Sequence, residues 1–306
     1  MRIGYPCINR SVGCSPSRTF RLTSYSDERL KKTVETNLDC LMKILSYNVA
    51  YGMLFFRITS DLVPFASHPV CAFPWQKHFS EEFRRIGEYV KRHQFRISMH
   101  PDQFVLLNTP SPDIFERSIA DLIYQVQVLD LMELDTTIKV QLHVGGVYGD
   151  KTASIDRFVY AYERLDDSVK NRLVIENDER LYSISDCLAI HKRIWIPVLL
   201  DVFHHAINNN HESIVDLLGC VRPTWKKSDG IPMVDYSSQQ PGKRTGTHAE
   251  SIDQRDFRLF LNSSMPYDFD IMLEIKGKEQ SAMSALILAQ NDPRLYRKYL
   301  RSDDIT

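Results

Sequence analysis

The sequence lacks any apolar run approaching the ~18 consecutive residues that would carry a helix across a bilayer. Its first residues, MRIGYPCINR, lack the apolar core of a secretory signal. It also lacks an excess of either charge. Lys and Arg number 38 against 39 Asp and Glu, a formal net charge of -1, so a nucleic-acid partner would have to be recognised by local features, not by bulk charge. The six cysteines, Cys7, Cys14, Cys40, Cys71, Cys187 and Cys220, form no CxxC pair, which excludes a zinc ribbon and a dithiol redox motif. They are expected to be reduced thiols in a soluble cytoplasmic protein with no membrane partner. A hydrophobic share of 43% with 25% charged residues excludes disordered and collagen-like chains.

What is present is an alternation of short apolar runs with longer amphipathic ones. The runs 2–5, 53–58, 95–99, 138–143, 172–176, 196–201, 231–235 and 270–274 read as strands. Between them, 27–47, 80–93, 113–134, 152–165, 185–192, 207–218, 252–261 and 280–290 read as helices, with starts marked by Asp27 before Glu28 and by Pro112 with Asp113. Eight β-then-α units in 306 residues predict an α/β fold, a single TIM-type (β/α)8 barrel with residues 1–306 forming one domain.

At or within one residue of the ends of these strands stand Tyr5, Arg57, His100, His143, Glu176, Asp201, Asp235 and Glu274. A barrel brings all eight carboxyl ends to one face, so six metal-ligand types far apart in sequence would surround one pocket. Singly, each histidine would more naturally be a hydrogen-bonded core residue; together they point to a site. His204, three residues after Asp201, and His248, in the loop after Asp235, extend the set, whereas His205 should point elsewhere. Gly145 and Gly146 after His143 would leave room beside it. Four imidazoles and four carboxylates suit zinc, manganese or iron better than calcium, and eight ligands would serve two or three ions. Metals about 3.5 to 4 Å apart suit phosphodiester cleavage, since they can activate water and stabilise a leaving 3′ oxygen. A divalent-metal sugar isomerase is the alternative, because it too sets carboxylates and histidines at barrel strand ends.

The segments YPCINR, FRITSDLVPFASHP, SMHPDQF, QLHVGGVYGDK, LVIENDER, DVFHHA, RPTW and LEIKGKEQ resemble the UV-damage endonuclease family, in order along nearly the whole chain. The family is related in fold to endonuclease IV. The resemblance implies a metal-dependent DNA repair endonuclease. It would nick duplex DNA immediately 5′ to pyrimidine dimers and 6-4 photoproducts, leaving a 3′ hydroxyl and a 5′ phosphate. It further implies metal ligation by His100, His143, Glu176, Asp201, His204, His248 and Glu274, with Glu176 bridging. Two or three divalent ions are expected, manganese first, with magnesium, zinc or cobalt as alternatives. Glu176, Asp201 and Glu274 would hold the central ions in catalysis. Where the family's seventh strand ends in a Lys-x-His pair, whose lysine can be carboxylated, this chain has Met233 and Asp235. Asp235 is expected to coordinate still, with one metal site weakened.

A dimer inside a stacked duplex can be processed only after nucleotides flip, which calls for a planar or apolar wedge. Gln103 and Phe104, after His100 and Pro101, match the family's glutamine and tyrosine thought to probe the strand opposite the lesion. Tyr5 and Asn9 match residues near the lesion pocket, Tyr5 being equally suited to plug the strand end. Phosphate contacts are expected from Arg10, Arg18, Arg21, Lys151, Lys226, Lys227, Lys243 and Arg244, all placed in strand-to-helix loops on the site face. Lys276 could neutralise the scissile phosphate or pair with Glu279. The expected partner is ultraviolet-damaged double-stranded DNA at the nucleoid, with no obligatory protein partner. An abasic-site endonuclease is the alternative within the same chemistry, and an intact ligand set argues against a non-catalytic damage-binding protein. If metals neutralise Glu176, Asp201, Asp235 and Glu274, the remaining charge balance turns positive.

Overall fold

The computed structural model describes residues 1–209 and 211–297. Its strands are β1 Ile3–Pro6, β2 Phe55–Ile58, β3 Arg96–Met99, β4 Lys139–His143, β5 Leu173–Glu176, β6 Val198–Asp201, β7 Met233–Tyr236 and β8 Asp270–Leu273. Every pairing is parallel and the order runs β1 to β8, with β8 closing on β1, a TIM-type barrel. Nearly every strand residue is buried, as expected where helices cover the outside and side chains fill the inside. The pattern in the sequence therefore reads as continuous apolar runs, not as alternation.

The helices are α1 Asp27–Ala50, α2 Trp75–His78, α3 Ser80–His93, α4 Pro112–Leu131, α5 Lys151–Glu163, α6 Asp167–Lys170, α7 Ile184–Ile194, α8 Val202–Ile207, α9 Ile214–Val221, α10 Gln254–Ser263 and α11 Lys278–Leu288. Their starts have local causes. Ser26 caps α1 by accepting from the Arg29 N–H, and Asp27 and Glu28 occupy its first turn, where carboxylates favour the helix dipole. Ser183 and Asp186 form a capping box on α7.

Three expectations are corrected. The helix expected over 207–218 is two helices, α8 and α9, because Ser213 caps a new helix on Asp216; Asn210 lies outside the described residues, as do residues 298–306 of the expected domain. Cys14 and Cys40 form a disulfide across 26 residues that ties the β1–α1 loop to α1, so the reading of six reduced thiols fails. Two thiols brought together by tertiary folding leave no spacing motif. Lys226 and Lys227 lie between α9 and β7. That is a helix-to-strand connection, at the N-terminal end of the barrel and away from the strand-end face.

Candidate metal centre

Ladder register sets the centre. His143 lies beside Glu176 across β4 and β5, and Asp201 beside Asp235 across β6 and β7. At the end of β6 the chain turns directly into α8. Asp201 caps this helix by accepting from the His204 N–H at 2.8 Å, which places His204 Nδ1 3.2 Å from Asp201 Oδ2. The D-x-x-H spacing is therefore a helix cap that brings two candidate ligand side chains together. The side-chain amide of Asn177, the residue after Glu176, exchanges two hydrogen bonds with the Asp201 backbone at 2.9 and 3.0 Å and fixes β5 against β6.

Three groups of side chains bring ligand atoms within 4.8 Å of one another: His100, His143 and Glu176; Glu176, Asp201 and His204; Asp201, Asp235 and Glu274. Glu176 and Asp201 each belong to two groups, so the three form one chain of sites. His100 Nε2 lies 2.7 Å and His143 Nε2 3.3 Å from the same Glu176 oxygen. His248 Nε2 lies 4.0 Å from Glu274 Oε2.

Three of the four imidazoles are aimed by the backbone. Carbonyl oxygens of Pro101, Asn177 and Glu274 lie 2.7, 3.1 and 2.7 Å from the Nδ1 atoms of His100, His204 and His248. A carbonyl can only accept, so each Nδ1 donates, and each ring on losing its Nε2 proton would turn that lone pair into the centre, the arrangement characteristic of metal-ligating histidines. His143 Nδ1 and Asp235 Oδ1 are buried with no hydrogen-bond partner. The donor set fits a divalent metal.

The electrostatics are those of crowded carboxylates. Burial alone would raise Glu176, but His143 and His100 hold it at about 2. Burial pushes Asp201 up to about 7. His204 would be lowered by burial, yet Asp201 and Glu176 carry it to about 9. Burial drives Asp235 well above the usual carboxylate range against the pull of Arg57. Burial acts on Glu274 in the same direction, but Arg57 and His248 hold it low.

Sequence reasoning named Arg57 only as a strand end and missed Gln141. Arg57 is 4% exposed and donates to Asp235 Oδ2 at 2.7 Å, to Gln141 Oε1 at 2.8 Å and to Glu274 Oε1. Gln141 donates to Glu176 Oε2 and Asp235 Oδ2, both at 2.6 Å. A single arginine and a glutamine two residues before His143 carry no motif, and only the barrel shows that they point inward. Lys278 was also missed: partly buried at the start of α11, it is lowered chiefly by burial, with Glu274 and Cys7 acting in the opposite sense.

The surrounding candidates divide. Phe104 is 73% exposed and packs on no loop, and Gln103 beside it is exposed. Lys243 and Arg244 are exposed in the β7–α10 loop, whose backbone Gln239 braces. Arg10, Arg18 and Arg21 lie in the β1–α1 loop. Lys151 pairs with Asp186 at 2.6 Å. Lys276 pairs with Glu250 at 2.7 Å and not with Glu279, which instead accepts from the Arg10 N–H at 3.0 Å and from Ser11. Tyr5 and Asn9 are sealed inside. The Tyr5 hydroxyl donates to Asn48 at 2.5 Å and accepts from Asn9 at 2.7 Å, so the plug is what is seen and neither presents a surface to DNA. His205 points away, toward the Glu212 carbonyl at 3.2 Å. Beside Gly145 and Gly146 there is no open space: a Cβ on Gly145 would stand 2.3 Å from Asn108 Oδ1, and one on Gly146 2.9 Å from the Tyr148 ring.

A parallel eight-stranded barrel with carboxylates and backbone-aimed imidazoles at its C-terminal rim defines a class, the metal-binding TIM-type enzymes. The family model described as UV-endonuclease UvdE matches residues 1–294, and the chain belongs to that family of endonucleases. The UV DNA damage endonuclease of Clostridium perfringens is 38% identical over 288 residues, covering 94% of this chain and 70% of that protein. The crystal structure of SacUVDE superimposes with a TM-score of 0.91 at 43% identity, over 95% of this chain and 98% of that one. Endonuclease IV from Thermus thermophilus shares the fold, with a TM-score of 0.57 at 16% identity over 95% and 98% of the two chains. An endonuclease of this family has DNA as its substrate. No helix among the described residues is long and apolar enough to cross a membrane.

Proposed function

We propose that this protein is a metal-dependent repair endonuclease, a single catalytic barrel that nicks duplex DNA immediately 5′ to ultraviolet photoproducts, leaving a 3′ hydroxyl and a 5′ phosphate. The observation that carries this reading is the set of three histidines whose Nδ1 atoms are held by backbone carbonyls while their Nε2 atoms face shared carboxylates, in a chain of this family. His100, His143, Glu176, Asp201, His204, His248 and Glu274 would hold divalent ions, manganese first. Bound there, such ions supply Lewis acidity for phosphodiester hydrolysis.

The chain's own residues do the rest. Glu176, shared between two ligand groups, fixes their spacing. Gln141 holds the second Glu176 oxygen so that the carboxylate cannot rotate away. Gln103 and Phe104 stand free beside His100 as an amide and a ring able to enter a stack vacated by flipped nucleotides. Lys243 and Arg244 supply phosphate contacts from the exposed loop that leads to His248. Lys276 can join them, because its exposed ion pair with Glu250 costs at most about 1 kcal/mol to open, and Lys151 can do so on leaving the half-buried Asp186. With DNA as substrate the site of action is the chromosome, and no protein partner is needed.

The test is incubation of an end-labelled duplex carrying one thymine dimer with the protein and Mn²⁺, with and without chelator, beside an undamaged and an abasic duplex. A single cut directly 5′ to the dimer, present only with metal, is the expected result. No incision of the dimer duplex in the metal-replete lane refutes the proposal, and cutting of the abasic duplex alone would transfer the activity to abasic sites.

A further inference from the structure

The third ligand group, Asp201, Asp235 and Glu274, differs from the other two: it contains no imidazole, and it already holds a cation. Arg57, 4% exposed, lies with Nη2 2.7 Å from Asp235 Oδ2 and with Nη1 on Glu274 Oε1. Gln141 fills the remaining space by linking Asp235 Oδ2 to Glu176 Oε2 at 2.6 Å each. Asp235 Oδ2 thus accepts from both Arg57 and Gln141, and one Glu274 oxygen is taken by the guanidinium.

We propose that Arg57 occupies the third cation position of the centre, that Asp235 is its counter-ion and not a metal ligand, and that the protein holds two divalent ions. One ion would be held by His100, His143 and Glu176, the other by Glu176, Asp201 and His204 with His248 and the second Glu274 oxygen beside it. This rests on the metal-centre reading above and goes beyond it in fixing the number of ions.

Charge supplies the argument. Glu176, Asp201, Asp235 and Glu274 carry four negative charges when ionised, which two divalent ions match. Arg57, whose guanidinium does not lose its proton, then leaves the centre one positive charge in excess, and one phosphodiester neutralises that. A third divalent ion would raise the excess to three in a buried site, where like charges are poorly screened. The residue at position 235 is consistent with this role. A carboxylate beside a buried guanidinium makes a charge-assisted hydrogen bond, whereas a neutral imidazole there would leave Arg57 with Glu274 alone as counter-ion. The only Asp235 atom still open to a third ion is Oδ1, which is buried without a partner, and the guanidinium 2.7 Å from its sister oxygen opposes an ion there.

The experiment is metal counting on the wild-type protein loaded with Mn²⁺ and desalted, by elemental analysis, together with anomalous scattering from crystals of the same preparation. Two manganese ions per chain, with Arg57 still bridging Asp235 and Glu274, is the expected result. Three ions per chain, with one bonded to Asp235, overturns the inference and leaves the metal-dependent reading standing. One ion per chain overturns the inference alone, and none overturns it together with that reading. Asp235→Asn supplies a second readout that does not depend on Arg57 being replaceable: its count stays at two, whereas Asp201→Asn lowers the count. Loss of an ion in Asp235→Asn would make Asp235 a ligand and refute the assignment.

Discussion

The two ends of the barrel use the same residue types to opposite effect. At the N-terminal end Lys139, Arg172 and Asp270 each have a fixed partner, while Arg96 leans on a backbone carbonyl with its Nε unpaired. Lys139, the first residue of β4, donates to Asp229 at 2.6 Å and to the Asn171 carbonyl at 2.8 Å. Arg172, just before β5, binds Asp130 at 2.7 Å and the Leu134 and Asp135 carbonyls. Asp270, the first residue of β8, accepts from the Arg2 backbone N–H at 2.5 Å. At the C-terminal end four buried carboxylates share one guanidinium, which reaches only Asp235 and Glu274, and imidazoles that lose their protons when a metal binds. A barrel can bury charge for stability at one end and leave it unmatched at the other, and the unmatched end is where a cation belongs.

The largest effect that would break this comparison lies at the N-terminal end. Asp229→Ala strands the Lys139 ammonium in the barrel and should cost about 3–5 kcal/mol of unfolding free energy, read by chemical denaturation, with Mn²⁺ affinity unchanged. Glu176→Gln should do the reverse. Mn²⁺ affinity falls by at least about 100-fold in a calorimetric titration while the metal-free protein loses little stability, since a shared ligand matters more than an outer-shell partner.

The same contrast should appear in pH. In the metal-free protein His204 sits at about 9 and Asp201 at about 7, both above their ordinary values, so at neutral pH His204 carries a proton and Asp201 about half of one that metal binding must displace. The sign follows: affinity rises with pH, by about tenfold per unit between 7 and 9 for the one proton on His204, and falls further below 7. Titrations in buffers of different ionisation enthalpy would show the released proton. A pH-independent affinity across that range would mean the rim is not unmatched.

Smaller effects sharpen the division between centre and rim loops. Phe104→Ala should weaken dimer-duplex binding by ~1–3 kcal/mol in a gel-shift titration, the value of one stacked base, without altering the bound metal. Lys243→Ala should leave discrimination between damaged and undamaged duplex intact and reduce the slope of log affinity against log salt by about 1.

Much of this was legible in the sequence because barrel geometry turns strand-end residues into neighbours. His100, His143, Glu176 and Asp201 could be found from apolar runs alone, and His204 from the helix cap that follows. Arg57 and Gln141 could not, since an inward-pointing residue of a strand buried on both faces carries no periodic mark. Lys226 and Lys227 fall between the expected helix over 207–218 and the expected strand over 231–235, so the element order itself puts them in a helix-to-strand connection, off the site face. The Cys14–Cys40 pairing depends on a loop folding back onto α1, which no spacing rule encodes.

The central claim is that the rim works only when its unmatched carboxylates hold metal. The most direct measurement follows incision of a thymine-dimer duplex and Mn²⁺ bound per chain in the same titration of metal-stripped protein. The account predicts no incision without metal, a rate that rises in step with occupancy, and no rate at any Mn²⁺ concentration near wild-type saturation for Glu176→Gln. Incision at full rate by the metal-stripped protein, or undiminished incision by Glu176→Gln, would contradict it.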